Sequence, residues 1–596
     1  MITLDFETEG IVGNPIVNPP RPVGLAVTLD DMQSYYIVGW EEMKSVCQDY
    51  WNADYDLLFH NAPFDLRVAE HWFGLPFPHW KRIHDTMYLL YLKNPHAASL
   101  SLKPSADHYL DLPPEEQDDL KAWILTHVPE AKPSDWGAYI SKAPVNIVEP
   151  YAKGDTFRTR LLFDLLMPQV PLEPYNRERE LMPYLISSTK VGIRCNRPAL
   201  EATLEAAQAA QGQCENLIRG KLGLPSLNPH SGTELASALQ NAPHLIRQDI
   251  AWPETPTGKL STARDNLMLM VEDQDLVNLL VYTGAMQTTI GTFLEPWLEK
   301  SALTGRLHPN WNQIRSTHGG GRSKGTRTGR LSSDDPNFQN IPNPFEFDIH
   351  ADLIAMPELR KFILPEEGHV WLKRDWSAQE MRILAHFEDG ALCAAFNANP
   401  NLDPHAMVME LVHSMFGKLF PRKFIKETGF GAIYGMGAPG LAKKIGTISV
   451  GEGRELQDSF YAALPGVKEL QTGTKRRGRN GQAVTTWGGR EYYAEEPKII
   501  GGSYRSFEYK LTNYLIQGSA ADQAKQCLID WFRNKPEDHT FMATVHDEMN
   551  ISVPEDEAVY GMDWLKRCMN EDYFDVPMLS DAFIGPSWGE LQEMEE

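Results

Sequence analysis

Residues 369–387 read HVWLKRDWSAQEMRILAHF, and the way this stretch divides decides the fold of the larger part of the chain. Its first half is an apolar run closing on Asp375. Its second half spaces apolar residues at helical intervals, so a strand is expected to deliver a carboxylate at its tip and pass at once into a helix. Far downstream, FMATVHDEMNISV (541–553) sets two apolar runs about HDE, the pattern of a hairpin with Asp547 and Glu548 at its turn. A single Asp at a strand end is usually structural. Two acids at two strand ends are the least that a two-metal phosphoryl transfer site requires, one cation activating a hydroxyl and the other holding a triphosphate.

Between these segments runs PRKFIKETGFGAIYGM, in which Arg422, Lys426, Phe430 and Tyr434 recur every four residues and form one slowly drifting helix stripe. Amphipathic helices ordinarily carry apolar stripes; this one opens on cations and closes on rings. A nucleotide fits that order, with cations toward phosphates and rings against base and sugar. Upstream, Asp403-Pro404-His405 places a histidine where it adds a phosphate contact, although a lone histidine is more often structural.

The amino-terminal part alternates short strands and helices, starting with the strand ITLDF. Asp5 and Glu7 alternate on that strand and so leave the same face. HNAPFD adds Asp65, and YAKGD adds Tyr151 and Asp155 on one helix face. Carboxylates from separated segments converge only with positive charge among them, which divalent ions supply. His84-Asp85-Thr86 fits the same picture, but a helix N-cap explains Asp85 equally well.

With 596 residues the chain is too long for one core, and its net charge of −24 is awkward for phosphate binding unless cations are concentrated locally. They are: Arg322, Lys324, Arg327 and Arg330 form one run, Arg422, Lys423 and Lys426 a second, and Lys475, Arg476, Arg477 and Arg479 a third. An acidic exterior around a basic groove confines binding to the groove. Six scattered cysteines without a CxxC pair argue against structural zinc and disulfides. The start MITLDFETEG lacks a basic-then-apolar leader and no apolar run approaches membrane length, so a cytoplasmic protein with no membrane association is expected.

These motifs resemble two known families. DFET, NAPFD and YxxxD occur in the order of the DnaQ-like 3′→5′ exonucleases. DWSAQEMR, RxxxKxxxFGxxYG and VHDE resemble the three signature motifs of family A DNA polymerases. TGRLSSDDPNFQNIP, DPH, TTWGGR and NYLIQGSAAD match further blocks in order. The resemblance implies an α/β plus α+β architecture: an RNase H-like exonuclease domain over 1–170, then a right-hand polymerase over 178–596. Its thumb would span about 197–310, its palm about 311–390 and 520–596, and its fingers about 391–519. It further implies that Asp5, Glu7, Asp65 and Asp155 hold two magnesium ions, with Tyr151 orienting the attacking water. Asp375 and Asp547 would hold two more, Mn²⁺ being able to substitute, with Glu548 supporting the primer end. Arg422, Lys426 and His405 would hold the phosphates of a dNTP, Lys426 also donating a proton. Glu380 would exclude a ribose 2′-hydroxyl, and Phe430 and Tyr434 would shape the nascent pair. Arg330, Asn337, Gln339, Arg490, Asn513, Gln517 and His546 would contact primer-template DNA. A processivity factor or helicase is an implied partner.

Trp376, Ala378-Gln379 and Tyr509-Lys510 depart from the family pattern, and the glycine-rich stretch 316–329, read as a mobile loop, is longer than expected. A single-subunit RNA polymerase shares the aspartates and the cationic helix but not Glu380, VHDE or an attached nuclease. A non-catalytic scaffold is disfavoured because an intact set of buried acids without metals is costly.

Overall fold

The computed structural model describes residues 1–316, 324–342, 349–446 and 448–595. The segment 317–323 of the glycine-rich stretch, including Arg322, lies outside them; on its flanks Ser316 and Lys324 form an antiparallel bridge.

The first part is built on strand β1 (Ile2–Thr8), whose Ile2, Leu4 and Phe6 are buried on one face while Thr3, Asp5 and Glu7 leave the other. β2 (Pro22–Thr28) and β3 (Ser34–Ile37) continue the sheet antiparallel on one side. On the other side, β4 (Leu57–Phe59) and β5 (Ile83–Asp85) run parallel to β1, connected through helix α1 (Ala62–Phe73). The spatial order is β3-β2-β1-β4-β5, a mixed sheet. Helices α2 (Thr86–Lys93), α3 (Leu102–Leu110) and α4 (Val145–Leu166) follow, α4 lying across β1 and β2 with its buried Ala152, Asp155, Thr159 and Leu162.

Around the expected junction of the two domains, residues 168–176 are largely helical. One 3-10 turn covers Met167–Gln169, and helix α5 runs over Leu172–Val191, starting before the predicted boundary at 178. Pro174 sits in its first turn, where a missing N–H costs nothing. Tyr175, Met182 and Ile186 of α5 join the core of the first part, and Leu181 and Leu185 join the core of the rest. The two modules therefore share this helix as a wall rather than being strung on a linker.

Helix α6 (Arg197–Leu222) is capped by Asn196 and stopped at Gly223 (φ +68), and packs its Leu200, Ala207, Cys214 and Ile218 side against α7 (Gln274–Thr288). The quoted stretch then forms β6 (His369–Trp376) and α8 (Gln379–Glu388), as its pattern predicts. Helices α9 (Pro404–Phe416), α10 (Arg422–Ile433) and α11 (Pro465–Arg479) lead to a small hairpin of β7 (Lys498–Ile500) and β8 (Ser503–Arg505) and to the long helix α12 (Leu511–Asn534). Strands β9 (Thr540–Val545), β10 (Glu548–Pro554), β11 (Ser580–Gly585) and β12 (Gln592–Glu593) complete an antiparallel sheet ordered β9-β10-β6-β11-β12. The strand carrying Asp375 is central, so its tip is fixed by neighbours on both sides. All six cysteines are buried and unpaired. Among the described residues no helix is long and apolar enough to cross a membrane.

Candidate functional site

At the end of the second sheet, β6 and β10 pair with Asp375 opposite Glu548, and the Trp376 N–H donates to the Asp547 carbonyl at 3.0 Å. Residues 375, 547 and 548 are thus brought together by ladder bonds. Glu548 opens β10 rather than lying in the turn, which consists of His546 and Asp547. His546 takes φ +58, the setting that a two-residue hairpin turn ordinarily gives to glycine, at a cost of roughly 1 kcal/mol or more. Burial, reinforced by the charge of Asp547, pushes Asp375 up to about 7, against the opposing pull of Lys373. Burial also raises Asp547. The Lys373 ammonium lies 3.5 Å from Asp375 and 3.1 Å from Glu548.

Beside Asp547 opens a groove of about 890 Å³, lined by Arg330, Glu380, His405, Arg422, Lys426, Phe430, His546 and Asp547, with Asp375 and Glu548 behind its wall rather than on it. Helix α10 supplies the cations and the first ring, and Tyr434 follows just past its last residue with its N–H still bonded to the Phe430 carbonyl. The Phe430 and Tyr434 rings stack at 6.4 Å. Glu380 accepts from Arg330, from the Tyr434 hydroxyl at 3.2 Å and from Gln517 at 3.5 Å, so residues from a loop and three helices or their ends meet at one carboxylate. Arg422 donates to Asp403 at 2.7 Å, and Asp403 also caps α9 through the N–H groups of His405 and Ala406. Burial lowers His405 to about 4, so its ring is neutral at neutral pH.

In the first module Asp5, Glu7 and Asp155 place ligand oxygens within 4.8 Å of one another. Asp65, on α1, is held beside them by the Phe6 N–H at 3.0 Å. Burial pushes Asp5 up to about 7, with Asp155 adding to the rise and Lys103 opposing it. Glu7 and Asp65 are likewise raised well above the usual carboxylate range, again first by burial. Lys103 of α3 bonds Asp155 at 2.6 Å and lies 3.9 Å above the Tyr151 ring, whose phenol burial keeps protonated. Glu7 Oε1 and Asp155 Oδ1 are buried without a hydrogen-bond partner. An all-oxygen donor set with orphaned buried acceptors fits a hard divalent cation such as Mg²⁺. Asp85 is an N-cap, accepting from the N–H groups of Met87, Asn61 and Ala62.

Among the described residues one further group, Asp538, His539 and Glu557, has metal-ligand spacing. Its geometry fits a hydrogen bond instead. His539 Nε2 contacts Glu557 at 2.8 Å, while Nδ1 is buried without the acceptor that a metal-bound imidazole needs.

The structure separates several predicted DNA contacts from the groove. Arg490 is 1% exposed, bonded to Asp522 at 2.5 Å and to Glu178, which also takes Lys525 at 2.6 Å. It is part of a buried ion-pair knot tying the loop before Glu491 to α5 and α12. The sequence run TTWGGR gives no sign of this, because its partners lie on distant helices. Asn337 accepts from the Gln339 N–H at 2.9 Å, and Gln339 donates to the Leu331 carbonyl at 2.8 Å and the Thr544 carbonyl at 3.5 Å, so they hold their loop and fasten it to β9. Asn513 is half-buried, with its Oδ1 unpartnered. Sequence reading missed Lys373, Lys103 and the Asp403–Arg422 pair. Lys373 was within reach, since it stands two residues before Asp375 on the same strand face.

The model of the family described as DNA polymerase family A matches residues 197–590, about two thirds of the chain. The chain belongs to DNA polymerase family A. Among family relatives, DNA polymerase I of Chloroflexus aurantiacus is 28% identical over 471 residues, covering 76% of this chain and 48% of its own length. "DNA polymerase DpoZ" of Salmonella phage PMBT28 is 24% identical, with 100% of this chain and 97% of that protein covered. The chain thus spans about half the length of the bacterial relatives it first matches and nearly all of the phage one. The fold is shared with the POL domain of Pol1 from M. smegmatis, solved in complex with DNA primer-template and dNTP. That likeness has a TM-score of 0.74 at 22% identity and covers 99% of this chain and 95% of that one.

Proposed function

We propose that this protein extends a DNA primer on a DNA template from dNTPs and removes mispaired 3′ ends in a second site. The supporting observation is the single groove in which Arg422, Lys426 and Phe430 of α10 and the Arg330–Glu380 pair line the same space as Asp547 of the β9–β10 turn, which the Trp376 N–H ties to the tip of β6 beside Asp375. Asp375 and Asp547 would hold two Mg²⁺ ions, with Mn²⁺ as a substitute; such ions lower the pKa of a hydroxyl and neutralise phosphate charge. Arg422 and Lys426 bind the triphosphate, and Lys426 supplies a proton to the leaving group. His405, neutral at working pH, adds a hydrogen bond rather than a charge. Glu380 bars a 2′-hydroxyl, while Phe430 and Tyr434 hold base and sugar. Arg330 and Gln517 read the minor-groove acceptors that every correct pair presents. Since Arg330 is bound to Glu380 here, that reading involves an exchange of partners.

The RNase H-like module at 1–170 would carry the exonuclease, with two metal ions on Asp5, Glu7, Asp65 and Asp155 and with Tyr151 positioning water. In that reading helices near 197–310 form the thumb, the sheet of β6 and β9–β12 the palm, and the helices of 391–519 the fingers. The setting would be the cytoplasm of a bacterium or a phage-infected cell. Primer extension and 3′-end degradation test both halves. Asp547→Asn should abolish extension and spare degradation, and Asp65→Ala should do the reverse, with dNTPs used and rNTPs refused. Loss of both activities in either folded variant would overturn the assignment.

A further inference from the structure

Between Glu496 and Ser506 every residue is exposed, an unusual run for a segment that contains a regular element. That element is the β7–β8 hairpin, closed by Gly501 and Gly502, both at positive φ (+58 and +75) as a type I′ turn requires. Its register pairs Ile499 with Tyr504 and Lys498 with Arg505, so the large apolar pair shares one face and the cations the other. Ile499 is 77% and Tyr504 74% exposed. Nothing in the core requires them, and a two-stranded ribbon with bare apolar side chains is a poor element in water.

The root of the hairpin fixes what these side chains meet. Tyr509, just before α12, packs so tightly on the end of α10 that a Cβ at Gly435 would lie 2.8 Å from its ring. Beside it, Glu508 and Leu511 touch Gly478 in the last turn of α11, where Arg476, Arg477 and Arg479 are exposed. Glu495, the buried acid at the base, is already neutralised by Lys510 at 2.7 Å and Arg327 at 3.0 Å. The root of the hairpin is therefore fixed between the residues just past the end of α10 and the exposed cations in the last turn of α11, on a protein that is otherwise acidic.

We propose that the β7–β8 hairpin is a nucleic-acid contact: Ile499 and Tyr504 stack on bases of the template at the point where its downstream strand is separated, while Lys498, Arg505 and the end of α11 take the phosphates. Rings and flat apolar groups among cations are the chemistry of sequence-tolerant base stacking. The assignment rests on the polymerase reading above, and it deepens that reading by naming an element that opens duplex ahead of the site.

The test compares the parent with Ile499→Ser/Tyr504→Ser and with Lys498→Ser/Arg505→Ser. Three measurements are made: extension on single-stranded template, extension through a nicked duplex, and the fluorescence of 2-aminopurine at the first unpaired template positions, read without dNTP. The apolar double variant should keep extension on single-stranded template within about twofold, lose strand displacement roughly tenfold, and brighten 2-aminopurine by unstacking it. The cationic double variant should weaken DNA binding mainly at low salt and make its salt dependence shallower. Equal displacement and unchanged fluorescence in the apolar variant would overturn the proposal and leave the face to a protein partner. Equal loss on both templates would overturn it as well. If the parent itself extends neither template, the polymerase reading fails, and the fluorescence change still decides whether bases stack on the hairpin.

Discussion

Arg490→Met separates two roles for a residue that sequence likeness places on DNA and the structure places in the interior. Arg490 makes two charge-assisted bonds, Nε to Asp522 at 2.5 Å and Nη2 to Glu178, with 1% of its surface exposed. Removing one member of a buried ionic set costs about 3–5 kcal/mol, because the partner is left charged in a poor medium. Here the loss is cushioned. Glu178 retains Lys525 at 2.6 Å and Gln313 at 2.8 Å, and Asp522 retains the Thr486 hydroxyl at 2.6 Å and Arg177 at 3.5 Å. The expected cost is therefore at the low end, about 3 kcal/mol, a large part of the roughly 5–15 kcal/mol that holds a domain folded. It should be read as a lower urea midpoint at unchanged slope, followed by tryptophan fluorescence. A DNA contact predicts the opposite pattern: an untouched midpoint and a salt dependence of DNA binding shallower by about 0.9 in log–log slope. A midpoint shift worth less than about 1 kcal/mol together with that shallower slope would refute the structural account.

Lys103→Met removes the cation that opposes protonation of Asp5 and Asp155, so the acid limb of the proposed exonuclease's pH profile should move to higher pH while primer extension is unaffected. Glu495, held down to about 2 by Lys510, Tyr514 and Arg327 against the cost of burial, gives stability that is present above its ordinary value near 4.5 and lost as pH falls from there toward 2. Glu495→Gln should flatten the melting temperature across that window. Because burial leaves His405 neutral above about 4, dNTP affinity should show no His405 titration between pH 5.5 and 8, and the parent and His405→Gln profiles, measured by single-turnover titration, should run parallel.

Much of the candidate site was legible because it is periodic. Alternation on β1 puts Asp5 and Glu7 on one face, a four-residue rhythm lines up the α10 stripe, and a strand-to-helix switch marks Asp375. What was illegible depends on partners far away in the chain. Nothing in SLKPSADHYL says that Lys103 will meet Asp155, and nothing in TTWGGR distinguishes an arginine at a groove from one sealed between α5 and α12. The helical character of 168–176 was hidden for a related reason: prolines at 168, 171 and 174 suggest a break, yet a 3-10 turn and the start of α5 accommodate them.

Helix α5 also governs how this molecule can be dissected. A cut at residue 170 would free the amino-terminal piece without Tyr175, Met182 and Ile186, leaving an apolar scar on it. Starting the other piece at 178 would strip away the amino-terminal end of α5, including Arg177 and its 2.9 Å bond to the Gly488 carbonyl. Heat should accordingly melt the intact chain with its halves coupled, and isolated fragments should express well only if each carries its own copy of that helix.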